Sequence, residues 1–471
     1  MAVKQKHSTK KRSSQRAKAH PPQRSRRGWV WISFGLTAIA LLSATAGALL
    51  AYSLSSIPLK QTQLSPEEAA VFDQEKAISY KNLNIPQLSR PVNILLLGTK
   101  VLTSDQPDPS QPDRGYHALV NSLEGLTDTM MLVRFDPETK SLLVLSIPRD
   151  TQVEMANRGV TKINEANARG GPALAAQTVE DLLGGVTIDR YVRVNVQAVE
   201  KLIDALGGVT VYVPKDMKYQ DDSQHLYINL KEGEQRLDGE QALQMLRFRH
   251  DHLGDIGRIQ RQQLVIRAVI EQALKPQTIL KVPEIVKILQ SYIDTNLSME
   301  ELVAIAGFSA QRQRQDVKML MLPGDFSGNG RNAVSYWLPN HRKIRTLTSQ
   351  YFNLVPNQSW FNAGDSWEEA EDPFPDPYRL RIAIQDSTQR PEVVQSVVRQ
   401  LQAAGYSRIN VVSPLSQPLK TTRVIAQQGD DLGAAQVRNN LGFGEVLVDS
   451  NGYLVSDVTI QLGDDWRPSL P

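Results

Sequence analysis

The chain has 471 residues, 41% hydrophobic and 22% charged, so it folds for the most part and has room for roughly two or three domains. Its net charge of +3 is a local matter: ten of the 53 Lys and Arg fall in residues 1–27, which hold no acid, leaving 43 cations against 50 acids elsewhere. The acidic remainder gives no footing for nucleic-acid binding, and a chain without cysteine has no disulfide or thiol chemistry.

Residues 1–28 read as a basic, disordered tail with Ser, Gln and Pro among its cations. Trp29 to Tyr52 then runs uncharged (WVWISFGLTAIALLSATAGALLAY) and predicts a transmembrane helix, with Trp29, Trp31 and Tyr52 at the interfaces. Cations before the span and Glu67, Glu68 and Asp73 after it place the tail in the cytoplasm and the bulk outside the plasma membrane. A cleaved signal peptide ending near Ala44–Ala46 is the competing reading, but the apolar run is long for one. Residues 53–90 form a polar stalk with one helical patch, for which Ser65 and Glu68 make a capping box.

From residue 91 to 353 apolar strands alternate with helices, the pattern of a sheet between helix layers. VNILLLG (Val92 to Gly98) is a continuous apolar run, as a strand covered on both faces requires. Thr129 to Asp136 and Ser141 to Pro148 flank a turn and predict a hairpin. A helix follows over Pro172 to Leu183, then a strand (Asp189 to Val194), a helix (Val196 to Leu206) and a strand (Val209 to Val213). Polar residues gather where the strands end, at Gly98 to Lys100, Thr127–Asp128, Arg149–Asp150 and Arg247 to Arg249, which is where such folds bind ligands.

The densest of these stretches is RFRHDHLGDIGRIQRQQ, Arg247 to Gln263. Read as extended, Arg247 and Arg249 share a face. Arg258, Arg261 and Gln262 open a helix at spacings that also share one. Guanidinium forks converging in this way suit a pyrophosphate; a solvated basic surface partnered by Asp251 and Asp255 is the plainer alternative. His225 and His250 read as loop histidines.

The segments NILLLGT, LTDTMMLVRFDP, LSIPRDT, KINEANARGG, IDRYVRVN, LIDALGGVTVYVP, LDGEQALQMLRFR and GDIGRIQRQ, in this order, resemble the LytR-CpsA-Psr family from about Val92 to Phe352. The resemblance implies a membrane-anchored, three-layer α/β/α enzyme outside the bacterial plasma membrane. Such enzymes move a glycopolymer from a polyprenyl-pyrophosphate lipid onto peptidoglycan through a phosphodiester. It also implies roles: Arg149, Arg247, Arg249 and Arg258 grip the pyrophosphate, Arg261 and Gln262 assist, and Asp128 holds Mg²⁺. Asp150 either orients Arg149 and activates the acceptor hydroxyl or caps the turn after Pro148. Two positions depart from the family pattern, and in one of them Leu126, with Thr127 intervening, stands where an Arg usually precedes the Asp-Thr pair. Where the first strand normally ends in an Asp that shares the metal, this chain has Lys100. Its ammonium partly replaces the cation beside the phosphates, or an Asp of the following loop restores the metal site, or catalysis is reduced or lost. A non-catalytic lipid or glycan receptor, and a pyrophosphatase using water as acceptor, stay open beside the transferase. The lipid tail calls for an apolar tunnel, with helices at Leu264 to Leu274, Val282 to Leu289 and Met299 to Phe308 as its candidate walls.

Residues 354–377, with Pro356, Pro373, Pro375 and Pro377 among many acids, read as an extended linker. Residues 378–466 alternate strands and helices again and resemble the LytR C-terminal domain, a small α/β unit with no nucleophile, metal cluster or phosphate loop in its sequence.

Overall fold

A computed structural model describes residues 61–99, 123–155, 159–222, 226–248, 254–281, 292–312, 316–327, 335–354, 377–449 and 456–466, apart from a few short interruptions, with 285 and 287. Among the described residues no helix is long and apolar enough to cross a membrane, and the span expected at 29–52 lies outside them. So do the loop histidines and most of the linker. All described residues belong to one compact unit, Ala51–Pro471.

The stalk patch is a single turn, α1 (Pro66–Ala69), closed by the expected capping box between Ser65 and Glu68. A hairpin of β1 (Ile78–Lys81) and β2 (Ile85–Leu88) leads into β3 (Val92–Thr99), β4 (Thr127–Asp136) and β5 (Ser141–Ile147). These last three pair antiparallel in sequence, β3 to β4 and β4 to β5, as the apolar runs and the intervening turn predict. A short hairpin, β6 (Gln152–Met155) and β7 (Gly159–Lys162), precedes α2 (Glu165–Leu182). β8 (Arg190–Val194) joins β3 in parallel. α3 (Val196–Ala205) follows, then β9 (Val209–Val213), β10 (Met217–Asp221), β11 (Leu226–Leu230) and β12 (Gly233–Leu237), which pair as β10 with β11 and β9 with β12. Next come α4 (Gly239–Arg247), α5 (Gly254–Ala273), α6 (Pro276–Ile279), β13 (Ile293–Thr295), α7 (Met299–Ser309) and β14 (Val317–Met321). The central sheet runs β13-β8-β3-β4-β5-β14, with β14 parallel to β5. β15 (Gly324–Phe326) and β16 (Trp337–Pro339) form a hairpin, and α8 (His341–Phe352) closes the domain.

The period-two alternation of the strands sorts their side chains into two cores. Leu95, Leu97, Met130, Leu132, Leu143 and Leu145 face α2 and α8, through Ala176, Val179, Ile344 and Leu347. Met131 and Val144 point the other way, onto Ile266 and Ile270 of α5, while Ile94 and Phe135 meet Leu302, Ile305 and Phe308 of α7. Helices therefore cover both faces, which is the expected three-layer order. One boundary differs: α2 begins at Glu165 rather than Pro172, with a break at Gly170–Gly171 where Gly171 takes φ 63°. Pro172 cannot continue the first segment's hydrogen bonds and suits the first turn of the second.

The C-terminal unit has β17 (Arg381–Asp386), α9 (Pro391–Ala403), β18 (Arg408–Val411), β19 (Arg423–Ala426), α10 (Asp431–Leu441), β20 (Glu445–Val448) and β21 (Val458–Leu462). Its sheet order is β18-β17-β21-β19-β20. It does not stand alone on its linker. Arg267 of α5 makes a two-point ion pair with Asp449, and the buried Asp457 takes Lys343 of α8 at 2.7 Å and Arg381 at 3.1 Å. Arg381 also reaches Asp325 of β15 at 2.8 Å.

Candidate active site

Pro148 ends β5 because it has no N–H to give the ladder. Thr151 then folds back on it, its N–H and hydroxyl donating to the Pro148 carbonyl at 3.0 and 2.6 Å. This tight turn puts Arg149 and Asp150 at its centre, on the sheet edge where β4 begins. There the Arg149 Nη1 donates to Asp128 Oδ1 at 2.6 Å, and its Nε lies 3.4 Å from Asp150 Oδ2. Lys162, the last residue of β7, donates to the other oxygen of Asp150 at 2.7 Å. The backbone locks the group: Asn164 N–H donates to Arg149 O, Thr127 N–H to Asn164 O, and Trp337 N–H to Asp150 O. Four charges thus alternate in one chain, Asp128, Arg149, Asp150 and Lys162, each partly exposed.

Asp128, Arg149 and Asp150 rim a cleft floored by Met130, Met131, Ile147, Ile266, Met321 and Phe326, with Gln262 and Gln263 of α5 on its far wall. The free space is only about 30 Å³, room for a couple of waters. Of the apolar tunnel foreseen from the sequence, the described wall at α5 packs against the sheet through Ile266 and Ile270; most of the candidate wall at Val282 to Leu289 is outside the described residues. The cleft contains an energetic anomaly. Gln263 is 3% exposed and neither amide atom has a hydrogen-bond partner among the described residues; the Ser146 hydroxyl, also buried, lacks one there too. Buried polar groups left unpaired are costly, and a ligand is one way to satisfy them.

The structure brings together Asp128, Arg149, Asp150 and Gln262. It corrects one expectation and places a second residue apart from the cleft lining. Arg247 is not on an extended strand end: it is the last residue of α4, because Asp238 and Gln241 cap a helix that runs on to it. Arg261 does not reach into the cleft: it is 3% exposed, donates to the Phe248 carbonyl at 2.5 Å and lies 5.5 Å from the Phe248 ring centre. Through that bond it ties α5 to the residue that ends α4. Arg258 belongs to α5 but its side chain is outside the description, as are Arg249 and Lys100 altogether. Sequence reasoning passed over Gln263, Ser146 and Lys162. Lys162 stood inside the KINEANARGG segment; Gln263 was one residue beyond the glutamine chosen, and only helix phase tells the two apart.

The LytR_cpsA_psr family profile matches residues 57–353. The chain belongs to this family. A second profile, the LytR cell envelope-related transcriptional attenuator, matches residues 379–466. The polyisoprenyl-teichoic acid–peptidoglycan teichoic acid transferase TagU of Oceanobacillus iheyensis is 32% identical over 344 residues, covering 71% of this chain and 97% of that protein. The transferase TagV of Bacillus subtilis is 32% identical over 246 residues, 50% of this chain and 62% of that one. The crystal structure of Bacillus subtilis TagV superposes with a TM-score of 0.47 at 28% identity, covering 57% of this chain and 99% of that one. The mixed α/β sheet and the two-layer helix cover of this LytR_cpsA_psr domain match what the sequence resemblance implied.

Proposed function

We propose that this protein transfers a glycopolymer, with its phosphate, from a polyprenyl-pyrophosphate carrier to a peptidoglycan hydroxyl at the outer face of the plasma membrane. The observation that carries the reading is Arg149, held between Asp128 and Asp150 at the mouth of an apolar-floored cleft. A polar rim over an apolar floor suits a lipid with a charged head. The two 32%-identical relatives that are named teichoic acid transferases support the same chemistry.

Phosphoryl transfer asks the protein for position and charge neutralisation more than for covalent help. Arg149 supplies a planar fork for non-bridging oxygens, and Gln263 and Gln262 supply amides from the opposite wall. The acceptor hydroxyl oxygen bonds to the phosphorus next to the glycan, and the bond from that phosphorus to the bridging oxygen breaks. The hydroxyl proton passes to Asp150, held in place by Lys162, and lipid monophosphate leaves. Mg²⁺ is part of this reading. Among the described residues no cluster of three or more carboxylates and histidines exists, but Mg²⁺ at phosphates typically takes only one or two carboxylates. Asp128 fits as that ligand, with one oxygen given to Arg149. When bound, the ion would neutralise charge on the phosphate oxygens. Binding of the tail requires α5 to part from β4 and β5, because the floor is closed without it.

The test is incubation of the full chain in detergent with a polyprenyl-pyrophosphate oligosaccharide and peptidoglycan oligomers. Glycan bonded to peptidoglycan is the expected product. Lipid monophosphate without linkage would show a pyrophosphatase instead, and tight binding without turnover would show a receptor.

A further inference from the structure

Arg149 and Asp150 line a second cleft as well as the first. It opens between Leu126, Lys162, Asn164, Glu165, Ala168 and Arg169, and its volume is about 600 Å³. The two differ in every respect that matters to a ligand. The first is narrow, apolar below and walled by α5; the second is wide, polar and walled by the start of α2. Those helices cover opposite faces of the sheet. An in-line displacement at phosphorus needs its incoming and departing oxygens on opposite sides of the reacting atom. Two clefts meeting at one Arg–Asp pair provide two such approaches.

A second observation concerns Asn164. It precedes α2 with helical backbone angles, φ −63° and ψ −17°, a conformation in which its side chain makes no cap hydrogen bond. It is 6% exposed, while its backbone is spent on Thr127 and Arg149. Asn164 lines the second cleft beside Glu165 and Arg169, which pair with each other one turn apart. Planar amide, carboxylate and guanidinium groups together are suited to sugar hydroxyls, each of which donates and accepts at once.

We infer that this second cleft binds the acceptor saccharide, with Asn164 and Arg169 contacting the sugar and Asp150 meeting the hydroxyl that attacks. The inference rests on the transferase reading and deepens it: the pyrophosphate donor lies on the α5 side and the acceptor enters on the α2 side. Lys162 is a positioning residue, since it reaches Asp150 at 2.7 Å and lies 5.8 Å from the Tyr336 ring centre.

The experiment uses the full chain in detergent, a polyprenyl-pyrophosphate disaccharide as donor and a peptidoglycan oligomer as acceptor. Donor affinity is measured by binding, and the acceptor KM by transfer. Asn164→Ala and Arg169→Ala are each expected to raise the acceptor KM about tenfold, the loss of one hydrogen bond, and to leave donor affinity at the parent value. Ala168→Trp keeps every polar group and fills the cleft, so it is expected to raise the acceptor KM while donor affinity and thermal midpoint stay unchanged. An unchanged acceptor KM in Ala168→Trp and Asn164→Ala, with the parent active, overturns the assignment alone. An equal loss of donor affinity in these variants also overturns it, placing the donor in this cleft. A parent protein that binds no donor overturns the transferase reading itself, and the assignment with it.

Discussion

Replacing Gln263 by leucine is expected to make the ligand-free protein more stable and its donor complex weaker. Gln263 is 3% exposed with both amide atoms unpaired among the described residues. A buried amide in that state costs about 1–3 kcal/mol relative to a paired one. Leucine has a similar volume, and its neighbour one helical turn away in the cleft wall, Ile266, is apolar. The substitution removes the cost and opens no large void, so a gain of about 1–2 kcal/mol is expected, or about 1–3 °C in thermal midpoint for a chain of this size. Ligand reverses the order. Donor at a hundred times its Kd stabilises a protein by about 2.7 kcal/mol, and a tenfold loss of affinity leaves about 1.4 kcal/mol. Thermal unfolding of parent and variant, with and without polyprenyl pyrophosphate, measures both terms. A variant less stable than the parent without ligand would show that the amide is already satisfied, and the cleft would lose its strongest sign of a missing polar partner.

Arg149→Lys keeps the charge but loses the fork between Asp128 and Asp150; transfer is expected to fall about 100-fold with the thermal midpoint nearly unchanged. Asp128→Asn is expected to shift the Mg²⁺ concentration needed for half-maximal activity upward, and identical titrations would remove Asp128 as the metal ligand. The domain junction should be acid-sensitive. Burial works to raise the Asp457 pKa, but hydrogen bonds and charge from Arg381 and Lys343 outweigh it and hold it below the usual carboxylate range. That stabilisation is present above the unfolded pKa of about 3.9 and is lost as pH falls through the lower folded value. Proteolysis within residues 354–377 is therefore expected to accelerate below about pH 4, and Asp457→Ala to bring the same acceleration at neutral pH.

The strands were legible because their apolar runs and alternation have one physical meaning, burial on one face or both. The hairpin of Thr129 to Pro148 and the strand at Val209 to Val213 followed directly. Arg149 and Asp150 stand out because they abruptly follow the apolar β5, and Asp128 because it opens β4 just before that strand's apolar run. What failed was the extended reading of Arg247, since the capped helix α4 runs on to it. Spacing alone cannot tell which face of α5 meets the sheet: Gln262 lines the cleft, while Arg261 lies against Phe248. Nor did any local signal foretell that the C-terminal unit packs against α5 and α8, since the bonds that hold it join residues as far apart as Arg267 and Asp449.

The central claim is that phosphorus moves with the glycan. A donor radiolabelled at the phosphorus next to the sugar tests this most directly, in a reaction of the full chain with peptidoglycan oligomers. The account predicts that the label is recovered in peptidoglycan, bonded between glycan and wall, with unlabelled lipid monophosphate released. Label left in free sugar phosphate, or in intact donor bound to the protein, would contradict it.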